Sequence, residues 1–409
     1  MTHKRERQSE LQARYDSYID AGLKLDLTRG KPAAEQLDLS NELDGILGGF
    51  YLLQDGTDVR NYGGILGIPE ARQLGADILN VQANQIMVGG NSSLTLVYQF
   101  VNHKLKSWGE AGIKFLCPVP GYDRHFTICE QFGIEMIPVP LHSEGPDMDT
   151  IENLVATDLT IKGIWCVPKY SNPTGQTYSN DIVNRFARLP QIASQDFQIF
   201  WDNAYVVHDL VESGDKLANL FEAAEKAETA DSIVILGSTS KITFAGAGIS
   251  FLAASEAQLK DFEGYLSAQT IGFDKVNQLR HVRFLKDNDG IRAHMARHRT
   301  IIKPKFDLVL KKLEDNLAGK DIATWTSPKG GYFISLDTDR SIASEVIAMA
   351  GTAGVKLTPA GATYPYGNDP ENRNIRIAPT YPTIDELSQA MDVFVTCAEL
   401  ASTNDELDN

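Results

Sequence analysis

Three short segments place reactive side chains directly after apolar runs. Ser238-Thr239-Ser240-Lys241 follows Ile233-Val234-Ile235-Leu236-Gly237. A lysine at the end of a buried strand is costly unless it is neutralised, paired or used covalently. The hydroxyls three residues and one residue before it could donate to a phosphate. The lysine is not part of a P-loop, because Gly-x-x-x-x-Gly-Lys is absent. Asn172-Pro173-Thr174-Gly175 follows Gly163-Ile164-Trp165-Cys166-Val167, and Trp201-Asp202-Asn203-Ala204-Tyr205 follows Gln198-Ile199-Phe200. An Asp at the carboxyl end of a buried strand faces the region where open α/β sheets bind ligands. Taken singly, each segment also reads as a turn, a helix cap or a structural ion pair. In this order, they form a lysine, a carboxylate, a phenol and a carboxamide gathered at strand ends.

The elements that must position them are legible as alternation. Apolar runs at Ile86–Gly89, Ile113–Cys117, Ile134–Val139, Gly163–Val167, Gln198–Asp202, Ile233–Gly237 and Ile249–Ala254 read as strands. Amphipathic stretches near 69–80, 92–108, 122–132 and 179–189 read as helices between them. Strands alternating with helices predict an α/β fold with a mostly parallel, seven-stranded sheet covered on both faces. Residues 4–21 read as a surface helix and 25–40 as an extended arm. Residues 284–317 read as a long helix or a pair of helices interrupted near Pro304. Their basic run (Arg292, Arg297, Arg299, Lys303, Lys305) reads as a solvated face. His294 and His298 lie four residues apart without the Glu or third ligand of a metalloprotease pattern, so no metal is expected. Residues 321–337, 354–358 and 374–378 read as strands of a second, α+β domain. Thr383-Ile384-Asp385-Glu386 is a capping box opening a helix with Leu387, Ala390, Met391, Phe394, Val395 and Ala398 on one face. The tail from Ser402 is polar and expected to fray. The expected division is 1–50 (helix and arm, packed with the small domain), 51–290 (large domain) and 291–409 (small domain).

Composition excludes several classes. The 409 residues are 43% hydrophobic, enough for a large core. A net charge of −16 disfavours nucleic acid and anionic membranes as partners. A dicarboxylate substrate would therefore need a local basic pocket. The four cysteines form no C-x-x-C pair and read as buried reduced thiols, as in a reducing cytoplasm. The N-terminus has positive charge but no apolar core of a signal peptide, and no apolar run approaches membrane-spanning length.

Asn-Pro-x-Gly, Asp-x-x-Tyr and Ser-x-Ser-Lys in this order resemble the fold type I, class I aminotransferases, which use pyridoxal 5'-phosphate. The resemblance runs along nearly the whole chain. Leu25-Asp26-Leu27-Thr28-Arg29-Gly30-Lys31-Pro32 is similar to the family's N-terminal arm. Arg60-Asn61-Tyr62-Gly63-Gly64, with Gly67 and Arg72, is similar to its Tyr-x-x-x-x-Gly segment. Gly89-Gly90-Asn91-Ser92-Ser93 resembles its phosphate-cup turn, and Pro120-Gly121-Tyr122 its ring-stacking segment. Lys329-Gly330-Gly331-Tyr332-Phe333 and Asn374-Ile375-Arg376-Ile377 resemble its C-terminal domain. The wording is nearest to the bacterial class I gamma aspartate aminotransferases.

The resemblance implies roles for particular residues. Lys241 would link covalently to the cofactor and shuttle the substrate's α-proton. Asp202 would bind the protonated ring nitrogen. Tyr205 and Asn172 would hold the ring oxygen, and Tyr122 would stack on the ring. Gly90, Asn91, Ser92, Ser238 and Ser240 would hold the phosphate. Tyr62 would reach the phosphate of a neighbouring subunit in a homodimer with shared active sites. Arg376 would clamp the substrate α-carboxylate, with Gly30 and Arg29 of the arm beside it. The expected reaction is transfer of an amino group from an amino acid, preferentially L-aspartate, to 2-oxoglutarate. Two enzyme alternatives stay open, an aromatic or other amino-acid aminotransferase and a carbon–sulfur β-lyase. A ligand-sensing regulator on the same fold is remote, because only about 25 residues precede the arm, too few for a helix-turn-helix domain. One departure stands out: Ile249 occupies the place where many relatives carry a phosphate-pairing Arg. Lys329 and Arg29 are candidate replacements. Arg29, Lys275 and Arg280 are candidates for reading a distal carboxylate.

Overall fold

The computed structural model describes residues 2–28, 30–109 and 112–408. Its main sheet has eight strands. In spatial order they are Ile86–Val88, Ser250–Ala253, Ile233–Ser238, Gln198–Asp202, Ile161–Cys166, Lys114–Val119, Glu135–His142 and Gly145–Pro146. The central five, Ile233–Ser238 through Glu135–His142, run parallel, and the remaining three pair antiparallel. All seven expected strands are present. The eighth is a two-residue return against Leu141 and His142. Its Gly-Pro sequence carries no strand signature, which is why periodicity missed it.

Alternate residues of the parallel strands serve opposite faces. Leu116, Ile164, Ile199, Trp201, Ile233 and Ile235 enter one apolar cluster. Phe115, Cys117, Trp165, Phe200, Val234 and Leu236 enter another. Helices Pro69–Leu79 and Asn180–Arg188 bury side chains in the first cluster, and Ser93–Trp108 and Asp123–Phe132 in the second. The near-continuous burial of these strands follows from being covered on both sides.

A third core packs on the antiparallel sheet of Ala323–Trp325, Ile334–Thr338 and Asn374–Ile377. The segment 321–337 is two strands rather than one. Gly331 at φ +83° turns the chain, and the glycine pair lies so close to Tyr170 that an added Cβ at Gly330 would overlap its ring. The N-terminal helix Thr2–Ala21 is more than a surface element, because Leu11 and Tyr15 are buried in this core. The arm is less extended than expected. Leu25–Asp26 pairs parallel with Val355–Lys356, and Ala34–Asp38 is a short helix.

Helix Asn288–Leu317 runs unbroken through Pro304 and joins the two halves. Ile291 and Met295 belong to the first core, Ile302, Phe306, Val309 and Leu313 to the third. Its basic run is not uniformly solvated. Lys305 is 2% exposed, with Nζ 3.0 Å from the Thr380 carbonyl and 3.1 Å from Glu35. The capping box forms as expected, with Thr383 N–H donating to Glu386 and Glu386 N–H to the Thr383 hydroxyl. The tail does not fray at Ser402. Helix Ile384–Asp408 continues, with Ser402 buried and Asp405 paired to Arg340 at 3.0 Å. All four cysteines are buried and free.

Candidate active site

The carboxyl ends of the parallel strands deliver the first group of side chains. Asp202 closes strand Gln198–Asp202 and is buried. Its Oδ2 accepts from His125 Nε2 at 3.0 Å. The His125 ring stacks on Trp165 of the adjacent strand at 4.4 Å and 10°, with Tyr122 edge-on at 4.9 Å. The carboxylate is therefore fixed from behind. Its Oδ1 is buried without a hydrogen-bond partner among the described residues. Leaving such an acceptor unmet costs about 1–3 kcal/mol, so this oxygen suits a cationic N–H donor.

Lys241 follows strand Ile233–Ser238 by three residues. Its Nζ lies 5.0 Å from the centre of the Tyr205 ring. Burial pushes the ammonium below the ordinary lysine value, and the Asp202 carboxylate works against that shift. The Tyr205 phenol is driven up by burial, reinforced by Tyr122 and Asp202. An amine with a lowered pKa beside a neutral phenol suits nucleophilic and proton-transfer chemistry.

A cavity of about 140 Å³ opens above these groups, lined by Ser92, Ser93, Tyr122, Asn172, Asp202, Tyr205, Ser238, Ser240 and Lys241. One wall is the N-terminus of the 16-residue helix Ser93–Trp108. Ser92 makes no side-chain capping bond there, and four serines, Ser92, Ser93, Ser238 and Ser240, line the space beside this helix start. That arrangement suits a phosphate dianion. Gly90 and Asn91 do not line the cavity. They brace it, since the Gly90 carbonyl accepts from Ser250 N–H at 2.7 Å and the Asn91 carbonyl from the Ser240 hydroxyl at 2.5 Å.

A second cavity of about 420 Å³ shares Tyr122, Asn172, Tyr205 and Lys241 with the first, so the lysine sits at their junction. Its far side carries Arg376, Gly30, Lys31, Arg124, Phe333 and Thr358. Arg376 lies in strand Asn374–Ile377. Its Nη1 donates to Asp123 at 3.0 Å and Asn172 at 3.1 Å, its Nε to Thr358 at 3.3 Å, and its guanidinium lies over Phe333 at 4.9 Å. The group is buried and held in plane on three sides, which orients it for a planar carboxylate. Gly30 fits closely because a Cβ there would meet Phe333 at 2.7 Å.

Some candidates lie elsewhere. Tyr62 is 85% exposed and borders neither cavity. Arg29 lies outside the described residues. Lys329 pairs with Asp215 at 3.3 Å, and Lys275 donates to the Tyr62 carbonyl at 3.2 Å. Neither these lysines nor Arg280 border the two cavities. Ile249 is buried; its carbonyl accepts from Thr239 N–H at 2.8 Å and its own N–H donates to the Thr239 hydroxyl at 2.9 Å. The sequence reading did not single out His125, Lys31 or Arg124. Arg124 stands two residues after Tyr122, but nothing in the motif tells which side its chain takes.

The comparisons with known proteins agree with this geometry. The model of the family described as "Aspartate amino-transferase" matches residues 2–409. A Mycolicibacterium smegmatis protein carrying an aminotransferase description is 49% identical over 409 residues, covering 97% of this chain and 95% of its own. The aspartate aminotransferase of Corynebacterium glutamicum is 44% identical over 403 residues, covering 96% and 93%. A crystal structure of an aspartate transaminase from Corynebacterium glutamicum superposes with a TM-score of 0.95 at 42% identity, covering 99% of this chain and 97% of that one.

Proposed function

The chain belongs to the aspartate amino-transferase family, and on that premise we propose that this aminotransferase moves the amino group of L-aspartate to 2-oxoglutarate with pyridoxal 5'-phosphate as its cofactor. The observation that carries the cofactor assignment is the buried, unpartnered Oδ1 of Asp202, lining the same cavity as the desolvated amine of Lys241. When bound, pyridoxal phosphate supplies an electron sink for the substrate's α-carbon and carries the amino group between the two half-reactions. Asp202 Oδ1 would hold the ring nitrogen's proton, with His125 holding Asp202. Asn172 and Tyr205 would hold the ring oxygen, and Tyr122 would cover the ring. Ser92, Ser238, Ser240 and the helix N-terminus would hold the phosphate, with Gly90 and Asn91 bracing them. With Ile249 buried and apolar at the guanidinium position, these hydroxyls and the helix N-terminus would meet the phosphate's charge. Lys241 Nζ would be the covalent anchor and, once the substrate's amino group has displaced it, would as a free amine take the proton from the substrate's α-carbon.

Arg376 would clamp the α-carboxylate, with Gly30 of the arm lining the same cavity. Two further cations on the larger cavity support a dicarboxylic substrate: Lys31, whose Nζ lies 5.2 Å from the centre of the Tyr381 ring, and Arg124. Arg124 lines the larger cavity, half-buried and without an acidic partner among the described residues. We assign it, in place of Lys275 or Arg280, to the distal carboxylate. Long-range repulsion by the acidic chain is then overcome locally.

The same reading keeps the division at 1–50, 51–290 and 291–409, with helix Asn288–Leu317 crossing the last boundary. It also makes the protein a homodimer with Tyr62 reaching the partner's phosphate site. Phe50, Leu52, Tyr62 and Ile271 are exposed. A Cβ added at Gly272 would meet the Gly63 carbonyl at 2.8 Å, so the backbone segments that carry Tyr62 and Ile271 pass close to each other. Such a patch suits burial against a second copy. A cytoplasmic location fits the four free thiols, and no helix among the described residues is long and apolar enough to cross a membrane.

The test is the visible absorbance of the purified protein, with a Lys241→Ala variant beside it. A band that bleaches with L-aspartate and returns with 2-oxoglutarate supports the whole reading. A band indifferent to aspartate but bleached by an aromatic amino acid transfers the assignment to that substrate. Release of pyruvate and ammonia makes it a β-lyase. No band after adding pyridoxal phosphate, or turnover by Lys241→Ala, overturns the cofactor assignment.

A further inference from the structure

Behind the cavities, the turn that carries Lys241 is gripped by side chains from four distant segments. The Lys241 carbonyl accepts from His208 Nε2 at 3.3 Å and from the Tyr332 hydroxyl at 3.3 Å. The next carbonyl, of Ile242, accepts from His294 Nε2 at 2.8 Å. The next side chain, Thr243, contacts His281 Nε2 at 2.9 Å. Three successive residues are thus each met by a buried imidazole. Burial holds His208, His281, His294 and His298 below the ordinary histidine value, so these rings are neutral around the turn.

The grip extends to the N-terminal arm. Gln36 is fully buried in the short helix Ala34–Asp38. Its Oε1 accepts from Ala33 N–H at 3.0 Å, which fixes which end of the amide is the donor. Its Nε2 then donates to the Tyr332 hydroxyl at 2.9 Å and to His298 Nδ1 at 3.1 Å. Tyr332 can pass its own proton on to the Lys241 carbonyl. His298 Nε2 lies 3.1 Å from His294 Nε2. His298, accepting at Nδ1, carries its proton on Nε2, as does His294 in donating to the Ile242 carbonyl, so no hydrogen bond passes between the two rings and the carboxamide heads a single route, through the Tyr332 hydroxyl to the Lys241 carbonyl.

The same arm lines the substrate side of the larger cavity through Thr28, Gly30 and Lys31. It is tied there by the Thr358 hydroxyl on the Thr28 carbonyl at 2.9 Å and by the Thr380 hydroxyl on the Lys31 carbonyl at 2.8 Å. Thr358 also accepts from Arg376. The arm thus reaches the carboxylate clamp through Thr358 at one end and the Lys241 carbonyl through Tyr332 at the other. Gln36 and Tyr332 themselves line neither cavity.

We propose that Gln36 and Tyr332 are positioning residues that set the orientation of Lys241 according to how the N-terminal arm is seated. The inference rests on Lys241 being the cofactor-bearing amine. The two side chains act in series, so removing either breaks the same link. Tyr332→Phe keeps the ring and removes only the hydroxyl. Gln36→Leu keeps the volume and removes both donors. Misplacing a reacting group by a fraction of an ångström costs on the order of tenfold or more.

The experiment is a double-mutant cycle on the full chain loaded with pyridoxal phosphate. It records kcat, KM for the amino donor, the pH midpoint of the visible band and the rate at which the apoprotein forms that band. Each single variant is expected to lose about tenfold in kcat with KM nearly unchanged and to shift the band's midpoint. The double variant is expected to lose no more than the worse single, as required of residues acting through one link. Losses that multiply in the double variant overturn the inference. So does an unmoved midpoint in both singles, which reduces the residues to packing. Should Gln36→Leu not fold, Tyr332→Phe alone decides by its midpoint and its kcat-to-KM split. A wild-type chain that forms no band overturns the underlying cofactor assignment first, an outcome distinct from normal wild-type behaviour with additive variants.

Discussion

The two ends of the site are built by different rules. At the cofactor end, Asp202, Asn172, Ser238, Ser240 and Lys241 follow within a few residues of parallel strands. The sheet that positions them is buried on both faces and registers each strand to its neighbour, as with Asp202 beside Leu236. At the substrate end, Arg376 comes from the small antiparallel sheet, Arg124 from the start of a helix, and Gly30 and Lys31 from the arm. These segments lie up to about 350 residues apart and meet through side-chain bonds to carbonyls and to one another, such as Arg376 with Asn172. The first end is a rigid floor set by one element. The second is an assembly whose geometry depends on how separate bodies are seated.

The sharpest way to break this comparison is to attack the floor where it is best braced. Asp202→Asn keeps the shape and the contact with His125 but removes the charge at Oδ1. A fixed charge aimed at a reacting centre contributes about 10²–10³-fold in rate. We expect kcat to fall by about that amount, with the thermal midpoint scarcely changed. A kcat within about threefold of wild type would show that Oδ1 does not face the cofactor ring.

Smaller effects are expected at the assembled end, and they should divide by substrate. Arg376→Lys loses the planar fork, so kcat/KM should drop for every amino acid, by about 10–10²-fold for a charge-assisted pair. Arg124→Ala should cost aspartate and glutamate a similar factor while sparing alanine or aromatic donors. Steady-state kinetics across a set of acidic and neutral donors checks this. Equal losses for all donors would remove Arg124 from distal-carboxylate recognition and return that role to an unassigned residue.

The same contrast explains what could be read from sequence. The floor was legible because strand, turn and reactive residue are contiguous. Ser-x-Ser-Lys after Ile-Val-Ile-Leu, and Asp after Gln-Ile-Phe-Trp, state both the position and the chemistry. The parallel strands and their helices were legible for the same reason. His125 was not, because its role depends on Trp165 and Asp202, which periodicity does not bring near it. Arg124 was not, because helix periodicity does not tell which of Asp123, Arg124 and His125 turns to the cavity. Lys305 was misread as solvated, since a basic residue in a basic run gives no sign that Glu35 and Thr380 will cover it. Gly145–Pro146 and the continuation of the last helix to Asp408 depended on tertiary partners that override local propensity.

Acid should separate the two ends, because the buried neutral imidazoles face the Lys241 turn and the far end of the arm at Gln36, whereas the ties of residues 25–31 are made by hydroxyls and carbonyls. His298 and His281 are each pushed down to about 4 by burial, and His208 to about 3, against an unfolded value near 6.5. Between these limits the unfolded chain binds protons that the native chain refuses, so the native state gains stability as pH rises. The contribution is complete above about pH 6.5 and is lost as pH falls toward about 4. Each such histidine adds a slope on the order of 1 kcal/mol per pH unit. The contacts at the substrate end, Arg376 with Asn172, Thr358 with the Thr28 carbonyl and Thr380 with the Lys31 carbonyl, carry no group that titrates there. Denaturant unfolding from pH 7 to pH 4.5 should show stability falling steadily below pH 6.5, and His298→Gln should flatten that slope by about one histidine's share. Hydrogen exchange over the same range should open residues 239–243 before residues 25–31. If the arm opened first, the acid-sensitive link would lie in its own attachment, and the floor would be the more robust of the two.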